Sequence, residues 1–376
     1  MQKKITVLFS LTLLFALTLG YSEGVTLGKA GTLSGRAGIY YSNSFATDSE
    51  NATLTHSYQY LNFESIELAG LKLGVGFFTI QELMESDDNV YSNADNEDFG
   101  NRDGLTQLYL NYSLSKTSLT MGRFEGGMEY NGDYYDGIQI ISEEIDGLKL
   151  SAIWYNRAFE AGDPTDIIQN RPEEIADGDD TYGEYGFEAE YTGIEDLTLI
   201  GMYYTAELFD CYGCRATYEF EAGIPLTIMG ESYRSNEEGD NGNLYHVCLS
   251  ASPIDSLTLS TGYFELGEKA GYANIVDDPW DVLESDAQEE PGAKTCYISA
   301  EYAIHENLTL IVLYGEVNYD STDANQNASN AKEFVCGCEY CILEGLSLSV
   351  NYVAVDGDST AITDYNEITA NLCYEF

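Results

Sequence analysis

The chain has 376 residues and a formal net charge of −48, from 64 Asp and Glu against 16 Lys and Arg. This acidity excludes nucleic acid as a partner, because a nucleic-acid binder needs a basic surface that displaces counterions from phosphates. Cations are the natural partners instead. With 36 Gly and 31 Tyr but only 6 Pro, the composition favours a tyrosine-rich β protein over a helical enzyme. Length alone allows two domains, but the uniform pattern described below favours one.

Residues 1–22 are typical of a secretory signal peptide. Two lysines precede an apolar run from Ile5 to Leu19, and Gly20 supplies a small residue for cleavage. A retained membrane anchor is the alternative, but the run is shorter than the roughly 20 residues that a spanning helix needs. We therefore predict an exported protein whose single mature domain covers 23–376. No other stretch is apolar enough to span as a helix, so membrane residence would require a closed β-barrel.

Residues 182–204 show the pattern that repeats along the chain. Phe187 and Tyr191 fall on one face of an alternating run, and Glu184 and Glu188 fall on the other. A period of two predicts a strand with one apolar and one polar face. A short turn follows, and a second run alternates in the same way. The length of each run is close to that of a tilted strand that crosses a bilayer.

The same strand–turn–strand unit recurs eight times, and an L-x-L pattern follows most turns, as at Leu197 and Leu199. A first strand near residues 32–42 and a last strand near 364–376 bring the total to about 18. The pattern predicts an all-β fold, a transmembrane antiparallel up-and-down β-barrel. The eight turns centre on residues 68–70, 115–117, 146–147, 193–196, 222–225, 253–255, 304–307 and 343–345.

The other connections include three long segments at 81–103, 157–181 and 265–293, which hold 8, 8 and 9 carboxylates. Outer-membrane barrels have short periplasmic turns and long outer loops, so we predict that these acidic segments face outward and that both termini are periplasmic. We expect weak Ca²⁺ binding at most in these loops, because their acids do not fit the spacing of an EF-hand. The alternative is that the acids are solvated. No cofactor is expected.

The C-terminus and several short motifs carry a resemblance to a known family. Tyr374 and Phe376 end the last predicted strand, as in bacterial outer-membrane proteins whose terminal aromatic residue is read by the barrel assembly machinery. Segments 31–36, 121–124 and 135–137, with the strand count, resemble the OprD-like porins. The resemblance implies a channel in the outer membrane of a Gram-negative bacterium, with membrane lipid, small ions and solutes as its partners. It leaves homotrimer formation, which is frequent among porins, open.

Two features depart from that resemblance. Porins commonly fold the third outer loop into the lumen, yet here it covers only about residues 125–133. Either another loop narrows the pore or the strand count slips near residue 125. Arg123 shares its face with Leu119 and Met121, so it would point at lipid unless a bulge turns it. No constriction residue of the family is therefore carried over to this sequence.

The polar face of each predicted strand should line the lumen, because a charge on the lipid face costs about 2 to 4 kcal/mol for Lys or Arg at the midplane. Acids outnumber bases on that face, which predicts a cation-preferring channel. The alternative is that the acids only hydrate the lumen and pair with the bases. The predicted lumen-lining residues are Arg36, Lys72, Lys149, Arg215, Glu184, Glu188, Glu190, Glu219, Glu231, Glu301, Glu339 and Glu367.

The eight cysteines suggest disulfides or a metal site in an exported chain. Strand parity favours another interpretation, since Cys336 and Cys338 share a face with Tyr340, and Cys214 shares one with Tyr212. These are positions for small apolar side chains. We predict unpaired thiols, with disulfides as the alternative, and no metal.

The residues that most enzymes would require are not arranged for catalysis. Of the three histidines, His56 is expected in a loop, His305 in a turn and His246 on an inward face. None has a nucleophile partner or a metal-ligand spacing. The sequence therefore favours a passive channel over an enzyme. A structural or adhesive surface barrel, with the acidic loops as its working part, is the alternative.

Overall fold

A computed structural model describes the strands of the chain and part of their connections. The described residues are 25–28, 30–46, 52–85, 102–128, 134–159, 183–205, 209–237, 240–267, 283, 286–290, 292–319, 329–357 and 364–376. The predicted signal peptide and most of the three acidic connections lie outside them. The described part holds no helix that is long and apolar enough to cross a membrane.

Nineteen strands follow one another along the described chain, and the first is a two-residue strand that pairs with the start of the second. They are β1 Val25–Thr26, β2 Gly31–Ala46, β3 Ala52–Ser65, β4 Leu71–Glu85, β5 Arg102–Leu114, β6 Thr117–Glu125, β7 Tyr134–Ile145, β8 Leu148–Phe159, β9 Glu184–Ile194, β10 Leu197–Thr205, β11 Phe209–Glu221, β12 Pro225–Glu237, β13 Asp240–Ile254, β14 Leu257–Leu266, β15 Lys294–His305, β16 Leu308–Tyr319, β17 Ser329–Leu343, β18 Leu346–Gly357 and β19 Tyr365–Glu375.

The strands β2 to β19 close into one antiparallel barrel of 18 strands. Each pairs with its neighbours in sequence, and β19 returns to β2 with Ala370 opposite Tyr41. Phe376 extends this seam beyond β19, since its amide donates to the carbonyl of Gly35 at 2.9 Å and its carbonyl accepts from the amide of Gly35 at 2.9 Å. Closure leaves no barrel strand with an unpaired edge. The predicted all-β, up-and-down barrel of about 18 strands is confirmed.

The eight predicted turns lie at one end of the barrel. The connections at the other end vary in length, from residues 238–239 between β12 and β13 to residues 267–293 between β14 and β15. Two-residue turns need a backbone that curves with the twist of the strands, and this often requires a positive φ. Asp196 (φ 61°) and Gly147 (φ 73°) provide it in their turns. The turns between β7 and β8 and between β9 and β10 fall where the sequence predicts them.

The two faces of each strand differ in the side chains that they carry. On β17, Ala331 and Val335 are buried, whereas Phe334 and Tyr340 alternate with them and are exposed. Large apolar side chains occupy the exposed face almost all the way round, and buried side chains occupy the other, so the first is the outward face and the second the inward face. Exposed outward residues include Ile39, Leu73, Leu110, Met121, Ile140, Leu150, Phe187, Leu199, Tyr218, Ile228, Leu249, Leu259, Ile298, Leu310, Phe334, Tyr352 and Leu372.

The eight cysteines are free thiols in the structure. No strand register places two of them opposite each other; Cys336, for example, lies between Val312 and Tyr352. Cys211 and Cys373 are buried on the inward face. A disulfide needs its two Cα atoms within about 7 Å, and neighbouring strands do not pair cysteines in that way.

The predicted loop position of His56 is wrong. His56 lies inside β3 and is buried between the rings of Tyr40 and Tyr58 on the inward face. The sequence preceding it, with Asn51 and Thr53, is polar and resembles a loop. Pairing of β3 with β2 extends the strand beyond the residues that its own pattern identifies.

Candidate functional site

The inward wall is the candidate site, and the structure places the predicted lumen-lining residues on it. On β9, Glu184 and Glu188 are buried, and the outward residues Tyr185 and Phe187 alternate with them. The same alternation puts Arg36, Lys72, Lys149 and Arg215 on the polar face of their strands. The remaining predicted acids that share this face are Glu190, Glu219, Glu231, Glu301, Glu339 and Glu367.

The early strands carry most of the inward bases, and these bases have partners. Lys72 Nζ lies 3.5 Å from Glu64 Oε2, and the guanidinium of Arg36 lies 4.5 Å from the ring centre of Tyr60. Lys149 Nζ lies 3.7 Å from Glu190 Oε2, and both side chains are about one-third exposed. The positive charge of Lys149 is therefore partly offset by Glu190.

Other acids are held in the wall by hydroxyl groups. Ser42 donates to Glu367 Oε1 at 2.5 Å, across the seam between β2 and β19. The hydroxyl of Tyr155 donates to Glu184 Oε2, which joins β8 to β9. These hydrogen bonds hold the carboxylates against the inward wall. The carboxylates therefore contribute to the shape of the lumen as well as to its charge.

Glu231 belongs to a buried network on β12, β13 and β15. Its Oε1 lies 2.7 Å from His246 Nδ1, and its Oε2 accepts from the hydroxyl of Tyr233 at 2.8 Å. His246 Nε2 lies 2.8 Å from the hydroxyl of Tyr297, and the ring of Phe264 packs edge-on against the histidine. The side chains of His246 and Glu231 are 3% and 1% exposed. Glu231 is therefore a structural carboxylate of the wall rather than an open lumen charge.

Three predicted acids are exposed near the end that carries the short turns. Glu219, Glu301 and Glu339 lie toward the turn ends of β11, β15 and β17. Their exposure leaves their charge accessible to ions in the lumen. Electrostatic interactions of such groups are less screened inside a narrow wall than on an open surface.

Part of the connection between β14 and β15 packs against the inner wall. Leu283, Ala287 and Ala293 are buried in the same apolar cluster as Val317 and Phe264. A short 3₁₀ turn, Asp286–Glu289, holds this segment together, and Gln288 Nε2 donates to the carbonyl of Leu283 at 3.3 Å.

Glycine at position 315 makes room for this segment, because a Cβ there would lie 2.5 Å from Leu283 Cδ2. Since Gly315 shares the inward face of β16 with Val317, Leu283 lies on the inward side of the barrel wall. The third outer connection, by contrast, has only residues 126–133 between β6 and β7. The strand count does not slip near residue 125, and another connection does enter the barrel.

Sequence reasoning missed several inward acids and the histidine network. Glu333 is 1% exposed on the inward face of β17, and Glu64 and Glu125 line a cavity described below. The sequence does contain a signal for Glu333, because Glu333 falls on the same face of the alternating strand pattern as Val335 and Gly337. The contact of Glu231 with His246 could not be predicted without the strand register.

The predicted assembly residues close the barrel. Tyr374 and Phe376 are each 5% exposed, stack on one another at 6.2 Å between ring centres, and pack against Leu61 and Leu346. Among the described residues, no group of three or more His, Cys, Asp or Glu side chains is arranged to hold a metal ion.

Comparison with known proteins identifies the fold. No protein-family model matches the chain, and no curated protein matches it. Several solved structures match the chain. OpdK of Pseudomonas aeruginosa, crystallised with vanillate, superposes with a TM-score of 0.76 at 14% identity, over 92% of this chain and 98% of its own. OccAB2 of Acinetobacter baumannii superposes with a TM-score of 0.75 at 17% identity, over 93% and 99%.

OccK9 (OpdG) of Pseudomonas aeruginosa gives a TM-score of 0.76 at 16% identity, over 92% of this chain and 98% of its own. These structural neighbours are porins of the OprD/Occ family, and they are channels rather than enzymes. The class that the fold defines is therefore a porin-like β-barrel. Within that class, the chain has the 18-strand barrel of the OprD/Occ porins, as the sequence motifs predict.

Proposed function

We propose that the chain forms a passive channel for small hydrophilic solutes and ions in the outer membrane of a Gram-negative bacterium, with a preference for cations. The excess of carboxylates over bases on the inward wall carries the proposal. Of the four inward bases, Lys72 and Lys149 are already paired with acids, whereas Glu219, Glu301 and Glu339 remain exposed to the lumen. Walls of Asp and Glu favour the entry of cations.

The outward face supports residence in a membrane. On β17, the charged Lys332 is followed on the same face by Phe334, Tyr340 and Ile342. At about 3.3 Å per residue and a tilt of about 40°, the span from Lys332 to Ile342 is about 25 Å tall, which matches the apolar band of an outer-membrane barrel. Charged outward residues also mark the same end of other strands, at Arg234, Glu265, Lys294, Glu316 and Asp356.

The proposed partners of the chain follow from its placement in the outer membrane. Outer-membrane lipid would contact the outward face, and the barrel assembly machinery would recognise the terminal aromatic residues before β19 pairs with β2. We also propose homotrimer formation and weak Ca²⁺ binding by the outer acidic connections. Most residues of the three acidic connections lie outside the described part of the chain.

Reversal potentials across a KCl gradient in planar bilayers test the proposal. We expect cation selectivity that weakens as salt rises, because the Debye length falls from about 10 Å at 0.1 M to about 3 Å at 1 M. Changing Glu188, Glu190 and Glu219 together to Gln should move the reversal potential toward zero. We expect most of that effect from Glu219, since Glu188 is buried and Glu190 lies beside Lys149.

A matched control removes three acids from the short turns instead. Changing Glu195, Glu306 and Glu344 together to Gln removes three carboxylates that lie outside the wall, where salt screens their charge. This change should leave the reversal potential nearly unchanged. Anion selectivity at low salt would mean that the inward bases control permeation. A folded barrel that does not conduct would favour the structural or adhesive alternative.

A further inference from the structure

The inward wall between β2 and β6 contains a cavity of about 480 Å³. This volume lies within the range of about 300 to 1,000 Å³ that is typical of small-molecule sites. Its polar lining comes from five neighbouring strands and the start of the connection after β6. The polar side chains that line it include Asn62, Glu64, Lys72, Gln107, Tyr109 and Glu125.

Two glycines of β4 create the depression. Gly74 and Gly76 follow Lys72 on the inward face, so two side chains are missing from the wall. A Cβ at Gly74 would lie 2.1 Å from Tyr109 Cε1, and one at Gly76 would lie 2.4 Å from Asn62 Oδ1. The ring of Tyr109 and the amide of Asn62 therefore lie flat against β4, which a larger residue would prevent.

One of the two carboxylates of the cavity, Glu64, is paired with a base inside it. Glu64 accepts from the hydroxyl of Tyr109 at 2.8 Å and from Lys72 Nζ at 3.5 Å. Glu125 Oε2 lies 3.4 Å from Gln107 Nε2, and Gln107 is itself 8% exposed. An anion would be repelled by the two carboxylates, and a cation would have to compete with Lys72 at Glu64. An uncharged ligand can instead use the uncharged donors and acceptors of the lining.

The groups that remain are mostly uncharged and bifunctional. The Asn62 amide and the Ser34 hydroxyl can each donate and accept. Asn111 Nδ2 donates to Thr120 Oγ1 at 2.8 Å, so the Thr120 hydroxyl remains available as a donor. Adjacent hydroxyls of a saccharide also donate and accept, and the ring of Tyr109 offers apolar surface for its C–H groups. A site of this composition matches a polyhydroxylated ligand better than an ion.

We propose that this cavity is a binding subsite for an uncharged saccharide of one or two sugar units on its way through the barrel. The inference rests on the proposed channel function and adds a solute class to it. The Tyr109 ring and the Asn62 amide are the groups that orient the solute, and the glycines of β4 set the depth of the subsite. Binding at this site would favour such solutes over others of equal size.

Sucrose is the probe, applied to the full-length folded barrel in planar bilayers. We expect a concentration-dependent reduction of the ion current. The apparent affinity should fall about threefold to tenfold in Asn62→Ala, the loss typical of one or two hydrogen bonds. It should change little in Tyr109→Phe, because the hydroxyl that is lost donates to Glu64. Tyr109→Phe keeps the ring over Gly74, so it separates the hydroxyl from the packing.

Asn351→Ala provides the matched control. Asn351 also faces inward and lies over a glycine, since a Cβ at Gly337 would be 2.2 Å from its Oδ1, but it sits on β18 outside the cavity. Its loss should leave the affinity for sucrose unchanged. Lysine and glutamate serve as charged comparators.

The outcomes separate this inference from the channel proposal. A barrel that conducts ions but is not blocked by sucrose overturns the subsite. So does an equal loss of affinity in Asn351→Ala, or a stronger block by lysine, which would make the cavity a cation site. A folded barrel that conducts no ions would refute the channel itself.

Discussion

Arg123 and Asp136 form a two-pronged ion pair on the outward face of the barrel. Arg123 Nε donates to Asp136 Oδ1 at 2.8 Å, and Nη2 donates to Oδ2 at 3.0 Å. The two residues are opposite each other on β6 and β7. Arg123 faces outward, as does Leu108, its neighbour on β5. The charge of Arg123 is neutralised on that face, and its side chain does not turn into the lumen.

Two bulges assemble the partners of Arg123. The register between β4 and β5 shifts at Gly76 and Phe77, which leaves Thr106 as an extra residue and presents the carbonyl of Leu105. Arg123 Nη1 donates to that carbonyl at 3.0 Å. The register between β7 and β8 shifts directly after Asp136. Bulges redirect groups in this way at the rims of barrels.

The Arg123 pair should matter for stability. Asp136→Leu removes the carboxylate that pairs with the Arg123 guanidinium on the apolar face, and should lower the free energy of unfolding by about 1 to 3 kcal/mol. The double variant Arg123→Met with Asp136→Leu should lose less, because no lone charge remains. Urea unfolding in lipid vesicles measures both.

The control for that pair is the exposed ion pair Lys116–Asp146 at the turns, with a 2.9 Å contact and side chains 56% and 95% exposed. Asp146→Ala should change the free energy of unfolding by less than about 1 kcal/mol. If Asp136→Leu costs no more than Asp146→Ala, the outward pair is not structural.

The network around Glu231 gives a second stability prediction. Glu231→Leu removes the partner of both His246 and Tyr233 in a buried site, and should cost about 2 to 4 kcal/mol. Glu231→Gln retains hydrogen-bonding capacity and should cost less. The exposed inward acid Glu219 is the control, since Glu219→Leu leaves no buried group without a partner. Equal losses at the two positions, measured by urea unfolding, would contradict the network.

The cysteines should be replaceable. Because the register pairs no two of them, changing all eight to Ala or Ser should leave the folded, heat-modifiable band on gels nearly intact. The buried Cys211 and Cys373 should account for most of any loss, at about 1 kcal/mol each from the small cavities. Disappearance of the folded band, or a disulfide mass shift in the native protein, would refute this.

The topology can be tested in that cysteine-free background. Asp146→Cys places a thiol in the turn between β7 and β8, and Asp364→Cys places one just before β19 at the other end of the barrel. We expect an impermeant maleimide to label position 364 on intact cells, and position 146 only after the outer membrane is permeabilised. The reverse pattern would invert the predicted orientation.

Much of this fold can be predicted from the sequence alone. The alternation of Phe187 and Tyr191 with Glu184 and Glu188 has a period of two, and in a closed barrel that period alone decides which side chains face outward. The turns at Gly147 and Asp196 were identified for a related reason, since short turns carry local chemistry that interrupts the alternation. Strand number and the face of each predicted charge are therefore local properties of the chain, whereas closure depends on the pairing of β19 with β2.

Tertiary structure decided what those charges contact. Glu231 meets His246, and Arg123 meets Asp136 and the Leu105 carbonyl, only because particular registers and bulges bring separate strands together. His56 was misplaced because its strand is defined by pairing with β2 rather than by its own residues. The packing of Leu283 on Gly315 is likewise a contact between distant segments. Periodicity reports the direction of a side chain, and only the register reports its neighbour.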